Sequence, residues 1–148
     1  MTGQVPNGDT LRHVLSKPVT TINVNDSVGV AAETMVKNEI GAVVVLEDKN
    51  PVGIITERDI IKQVTKGTDA LKNPVKQVMS RPLTTASPDM SVQQAFELML
   101  RKGIRRLPVL DGNNLVGIAT EKDLMRWVLR VSYEPNIPKH IKAILEAR

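Results

Sequence analysis

The sequence predicts a mixed α/β (α+β) fold made of two β-α-β-β-α repeats related by a pseudo-two-fold axis. Three observations carry that expectation. Slid by 64 residues, the 148-residue chain matches itself without a gap, Val14 to Val64 over Val78 to Val128, with roughly 21 identities in about 51 positions. Each copy holds an apolar stripe at helical spacing. Each also holds two short apolar runs parted by turn residues.

The elements follow in order. A short extended piece opens each copy, Val19 to Ile22 or Leu83 to Ala86, led by Pro18 or Pro82. A helix comes next. Ser27 and Ser91 are its N-caps, and Ser91 with Gln94 has capping-box spacing. Val28, Ala31, Ala32 and Met35 give an i, i+3, i+4, i+7 stripe, repeated by Val92, Ala95, Phe96 and Met99. Two buried strands follow. In the first copy they are "AVVVL" (42–46) and "VGII" (52–55), and in the second "LPVL" (107–110) and "LVGIA" (115–119). A closing helix runs from Glu57 to about Val64 and from Glu121 to about Val131. The expected organisation is a first repeat at 11–66, a linker at 67–76 broken by Gly67 and Pro74, a second repeat at 77–131 and a tail at 132–148. One such unit leaves an apolar sheet face open. Two copies that cover each other bury both faces, so the expectation is one body rather than two beads.

Composition narrows the chemistry. There are no cysteines, which excludes disulfides, Cys-ligated zinc, iron–sulfur clusters and a thiol nucleophile. His13 and His140 stand far apart without ligand-like neighbours, so no metal site is expected. Aromatics are 2% of the chain, only Phe96, Trp127 and Tyr133, too few for a stacking platform for single-stranded nucleic acid. The net charge of +4 suits small anions and is weak support for DNA binding. The longest apolar run, Ile40 to Leu46, is far short of the roughly 20 residues of a membrane helix. No signal peptide is visible in Met1 to Ser16, so the expected location is cytoplasmic.

Two features could carry chemistry. Thr56-x-x-Asp59 and Thr120-x-x-Asp123 sit at equivalent strand-to-helix junctions. Capping alone accounts for such a pair, since helix starts favour a threonine cap and an acid three residues on. The functional alternative uses the free N–H groups and positive dipole end of a helix N-terminus as an anion site. There the threonine hydroxyl adds a donor to a phosphate, and the two oxygens of the aspartate match the two hydroxyls of a ribose. The second feature is Arg105-Arg106, whose counterpart in the first copy is Gly41-Ala42. Arginine binds phosphate with a planar fork, although a charged pair at a strand edge also serves to block aggregation.

The duplicated "PVTT…GIITERD" and "PLTT…GIATEKD" patterns resemble a tandem pair of CBS domains, the cystathionine β-synthase type, also called a Bateman module. The likeness covers about Val14 to Val131. It implies a regulatory module without catalysis that binds an adenine nucleotide (AMP, ADP or ATP) or S-adenosylmethionine in the cleft between the copies. It also implies a disc-shaped homodimer and a separate, unidentified effector protein. Carried over residue by residue, one site takes Thr120, Asp123, Ile118 and Arg106 with Pro18, Thr20, Ile40 and Gly41. The other takes Ile54, Thr56 and Asp59 with Pro82, Thr84, Ile104 and Arg105. The arginines face no counterpart in the first copy, so the two sites are expected to be unequal.

Three rival classes predict different behaviour. An enzyme using Asp59 or Asp123 would turn over ATP, yet no Walker or Gly-x-Ser-x-Gly pattern is present. A nucleic-acid binder would show steeply salt-dependent affinity. A purely structural dimerisation module would answer to no ligand.

Overall fold

Two equivalent helix starts show how the sequence sets its elements. Ser27 Oγ accepts from the Val30 N–H at 3.1 Å and opens α1 (Val28–Asn38). Ser91 Oγ accepts from the Gln94 N–H at 3.0 Å, and Gln94 Oε1 returns a bond to the Ser91 N–H, opening α3 (Val92–Lys102). Both helices stop at a left-handed residue, Glu39 and Gly103. The computed structural model describes residues 9–133, 136 and 138–146. In the first repeat it holds β1 (Thr21–Asn23), α1, β2 (Ala42–Glu47), β3 (Asn50–Thr56) and α2 (Glu57–Val64). In the second it holds α3, β4 (Arg106–Asp111), β5 (Asn114–Thr120) and α4 (Glu121–Tyr133), followed by α5 (Lys139–Glu146). The fold is mixed α and β, with the predicted β-α-β-β-α order in the first repeat and α-β-β-α in the second.

The sheets differ. In the first repeat β1 runs parallel to β2, with Ile22 opposite Val45, and β2 runs antiparallel to β3. In the second, β4 and β5 form a two-stranded sheet. The predicted lead strand Leu83 to Ala86 is reduced to a single parallel bridge, Ala86 with Val109. Proline explains the loss. Val44 N–H donates to Thr20 O at 3.4 Å and Val24 N–H donates to Leu46 O at 2.9 Å. The equivalent positions are Pro108 and Pro88, which have no N–H to give. Only Ala86 N–H to Pro108 O (3.0 Å) and Leu110 N–H to Ala86 O (2.9 Å) remain.

The chain divides into two compact units. The first-repeat unit is Pro18–Thr84 with Asn113–Leu115. The second-repeat unit takes Thr85–Gly112, the chain from Val116 onward and the chain up to Lys17. Each has its own core. Val28, Ala31, Met35, Val43, Val45 and Ile55 are buried with Val75 and Met79 in the first-repeat unit. Val92, Ala95, Met99, Leu107, Val109 and Leu124 are buried with Leu11 and Trp127 in the second-repeat unit. Position by position, 64 residues apart, the two lists are largely the same. A fully buried aliphatic side chain of this kind contributes about 1.5–3 kcal/mol.

The segment before each repeat is part of a core. Val75 is fully buried, and its N–H donates to Asp26 O at 2.8 Å, within the stretch read from sequence as a linker. Its equivalent Leu11 is also fully buried, and the Leu11 N–H donates to Met90 O at 2.9 Å. Trp127 Nε1 donates to Asp9 Oδ2 at 2.6 Å and fastens the same segment.

Candidate functional site

Each unit has a strand that runs straight into a helix, and the Thr-x-x-Asp pair stands at that junction. In the second-repeat unit β5 ends at Thr120 and α4 begins at Glu121. Asp123 Oδ2 accepts from the Thr120 N–H at 3.1 Å and from Thr120 Oγ1 at 2.8 Å. The Asp123 N–H donates back to Thr120 Oγ1 at 3.1 Å. Ser16 adds a third donor, with its Oγ 2.9 Å from the same Oδ2. Its place is fixed by backbone pairing with Ile118: Ser16 N–H to Ile118 O at 3.0 Å, and Ile118 N–H to Ser16 O at 3.3 Å. On the other side, Arg126 Nη1 lies 4.0 Å from Asp123 Oδ1, with the two side chains 25% and 12% exposed. The carboxylate is thus largely buried, with one oxygen saturated by donors and the other beside a guanidinium.

The first-repeat unit repeats this with fewer partners on the carboxylate. Asp59 Oδ2 accepts from the Thr56 N–H at 2.8 Å and from Thr56 Oγ1 at 3.1 Å. Ser80, the equivalent of Ser16, pairs its backbone with Ile54, with N–H to O distances of 2.9 and 3.2 Å. Among the described residues its hydroxyl forms no bond to Asp59. The first helical N–H is tied in the same manner in both units, Glu57 to Gly41 O at 3.0 Å and Glu121 to Arg105 O at 2.8 Å. Arg105 also lies 3.8 Å from the Glu121 carboxylate, in an exposed pair. Arg106 is half-buried at the start of β4 and has no ion-pair partner among the described residues.

Ile104, Arg105, Arg106, Ile118, Thr120 and Asp123 fall in the second-repeat unit. Pro18, Thr20, Ile40, Gly41, Ile54, Thr56, Asp59, Pro82 and Thr84 fall in the first-repeat unit. Within their units the structure brings Ile118, Thr120, Asp123 and Arg105 to the start of α4, and Ile54, Thr56, Asp59 and Gly41 to the start of α2. Ile40 lines an open groove of about 450 Å³ between α1 and α2, beside Met35 and Ile61. Thr20 gives its carbonyl to β2.

The two readings of the Thr-x-x-Asp pair meet here. Both turns are capping boxes, as their spacing suggests. Each threonine hydroxyl already spends its single proton on the aspartate, so donating to a phosphate requires it to rotate. Two residues that contact Asp123 escaped the sequence reading, Ser16 and Arg126. The repeated "SKP" and "SRP" held a signal for Ser16, since a serine stands two residues before each lead proline. Arg126 carries no such mark, because its equivalent is Lys62 on an ordinary helix face.

A family model for the CBS domain matches residues 11–66 and 75–130. The chain belongs to the CBS-domain family. It is 38% identical over 115 residues to the CBS domain-containing protein YhcV of Bacillus subtilis, covering 77% of this chain and 81% of that protein. It is 36% identical over 129 residues to protein MJ1404 of Methanocaldococcus jannaschii, covering 78% of this chain and 31% of that protein. The chain therefore spans about a third of the length of that relative. Among solved structures it is similar to the CBS domain pair of protein MJ0100 in complex with 5′-methylthioadenosine and S-adenosyl-L-methionine. The TM-score is 0.75 and the identity 30%, over 82% of this chain and 96% of that one. Among the described residues, no helix is long and apolar enough to cross a membrane.

Proposed function

We propose that this CBS pair is a non-catalytic regulatory module that binds adenosine-containing ligands through its two Thr-x-x-Asp turns. The observation that carries the reading is the duplicated turn itself: a carboxylate held by its cap at the N-terminus of a helix, once in each unit. A carboxylate accepts the hydroxyls of a ribose, while the N–H groups left open in the first turn and the helix dipole favour a phosphate nearby. The likeness to a CBS pair that binds methylthioadenosine and S-adenosylmethionine supports the adenosine class. Around Asp123 the proposed contacts are Ile118, Thr120 and Arg106. Around Asp59 they are Ile54, Thr56, Pro82 and Thr84. Aliphatic side chains suit the faces of a purine in a chain this poor in aromatics. We extend the reading to a homodimer that reports to a separate effector protein.

A thermal-shift series tests it. AMP, ADP, ATP or S-adenosylmethionine at 100 times its Kd is expected to stabilise the fold by about 2.7 kcal/mol, and GTP is expected to do much less. No shift with any adenosine compound overturns the reading, and steady ATP turnover overturns its non-catalytic part.

Arg106 offers a narrower check. Its guanidinium is available to a phosphate, and a charge-assisted hydrogen bond contributes about 1.5–3 kcal/mol. Arg106→Ala is expected to weaken ATP by about tenfold or more and adenosine hardly at all. Equal losses in calorimetric titrations of the two ligands would place the arginine away from the phosphates.

A further inference from the structure

The crowding at Asp123 Oδ2 goes beyond what a cap requires. A carboxylate has about four lone-pair sites on two oxygens, yet this one oxygen already accepts from the Thr120 N–H, Thr120 Oγ1 and Ser16 Oγ. A ligand that brings two hydroxyls to Asp123 needs both oxygens, so one of the three donors has to leave. The Thr120 N–H is backbone and belongs to the helix cap. Thr120 Oγ1 is held from both sides, since it also accepts from the Asp123 N–H at 3.1 Å. Ser16 is exposed, and its hydroxyl can rotate away while its backbone stays paired with Ile118.

We infer that Ser16 is an internal stand-in for a ligand hydroxyl: its Oγ–H fills the place on Asp123 that one ribose hydroxyl takes, and ribose-bearing ligands bind by displacing it. The inference rests on the proposed adenosine-binding function and adds a regulation to it. The second-repeat turn is self-occupied, and the first-repeat turn is not, because the Ser80 hydroxyl does not reach Asp59. Ribose binding at Asp123 therefore carries the loss of the Ser16 bond, and binding at Asp59 carries no such loss. The displacement is confined to the Ser16 side chain, because the backbone of that segment stays paired with Ile118.

The test is calorimetric titration of ATP and 2′-deoxy-ATP into an Asp59→Asn background, where the Asp123 turn alone reports. Removing the competitor with Ser16→Ala is expected to tighten ATP by about tenfold, the lower end of the worth of a hydrogen bond to a charged acceptor. The 2′-deoxy ligand, with one hydroxyl fewer to seat, is expected to gain much less. Ser16→Thr keeps a hydroxyl and is expected to restore the wild-type ratio of the two affinities. Ser80→Ala, made in the wild-type background, is expected to change neither ligand. A loss of ATP affinity in Ser16→Ala makes the serine a supporting contact and overturns the inference, as does an equal gain for both ligands. Binding with an unchanged ratio overturns the inference alone, whereas no binding by the wild-type protein overturns the adenosine reading and the inference with it. A ligand-free melt of Ser16→Ala that stays cooperative and falls by about 3–6 °C, the same tenfold expressed in melting temperature, is the matching control for folding.

Discussion

Gly53→Ala is expected to destabilise the protein by about 2–3 kcal/mol, the upper part of the range for overpacking a tight site. A Cβ at that position would stand 2.6 Å from Met79 Sδ, 3.0 Å from Met79 Cγ and 2.9 Å from Ser80 O. The sulfur end of a methionine can swing, although Met79 is 8% exposed and set in the core of the first-repeat unit. The Ser80 carbonyl cannot, because it accepts from the Ile54 N–H at 3.2 Å, one residue along from Gly53. Moving it breaks the pairing that holds the segment. The repeat supplies an internal comparison in Gly117, where the clash is with Leu15 alone, at 2.8 Å to Cδ1 and 3.0 Å to Cβ. No backbone atom is involved there, so Gly117→Ala is expected to cost about 1 kcal/mol. Each kcal/mol moves the melting temperature of a chain this size by about 2–4 °C, which separates the two variants in a single denaturation series. A Gly53→Ala protein as stable as wild type, or a Gly117→Ala protein that is the worse of the two, would show that these segments yield easily.

Helix and core positions were legible in the sequence, and the lead segments were not. The 64-residue period placed the helices and the core, because burial follows the apolar stripe: Val28, Ala31 and Met35 are buried, and so are Val92, Ala95 and Met99. It could not tell which core a lead segment completes. Leu11 and Val75 are equivalent in the repeat, and each is buried in a cluster whose other members lie far along the chain or just before it. Tertiary packing decides this, and neither propensity nor periodicity encodes it. The missing second lead strand was legible in principle, since Pro88 and Pro108 stand in the sequence, but their cost appears only once the hydrogen-bond register with Val24 and Val44 is known. The Thr-x-x-Asp turns were read correctly as a capping pattern because the box is local. Ser16 was missed because its partner lies 107 residues away.

Asp123→Asn is expected to separate the two roles of that residue, weakening ribose-bearing ligands by about 30-fold or more at a cost of about 1 kcal/mol of ligand-free stability for the lost charge at the helix start. The amide keeps one carbonyl oxygen, which can stay in the cap and accept from the Thr120 N–H and Ser16 Oγ, as Oδ2 does now. The other oxygen becomes an NH2 group. It sits on the side of Arg126, where Nη1 is 4.0 Å away, and turns an acceptor for ligand hydroxyls into a donor. A hydroxyl that loses a charged acceptor forfeits about 1.5–3 kcal/mol, and 1.4 kcal/mol is tenfold in affinity. Asp123→Ala cannot make the same distinction. It removes the capping oxygen too, which costs about 1–2 kcal/mol of stability on its own, so weaker binding would be mixed with a loosened helix start. Ligand-free melts and titration of both variants resolve the matter. If Asp123→Asn binds ATP like wild type in the Asp59→Asn background, the carboxylate serves the helix alone and the adenosine reading loses its anchor. If it folds normally and binding falls, capping and recognition are two uses of one side chain, with the cap on Oδ2 and the ligand hydroxyls on Oδ1 and on the place that Ser16 holds on Oδ2.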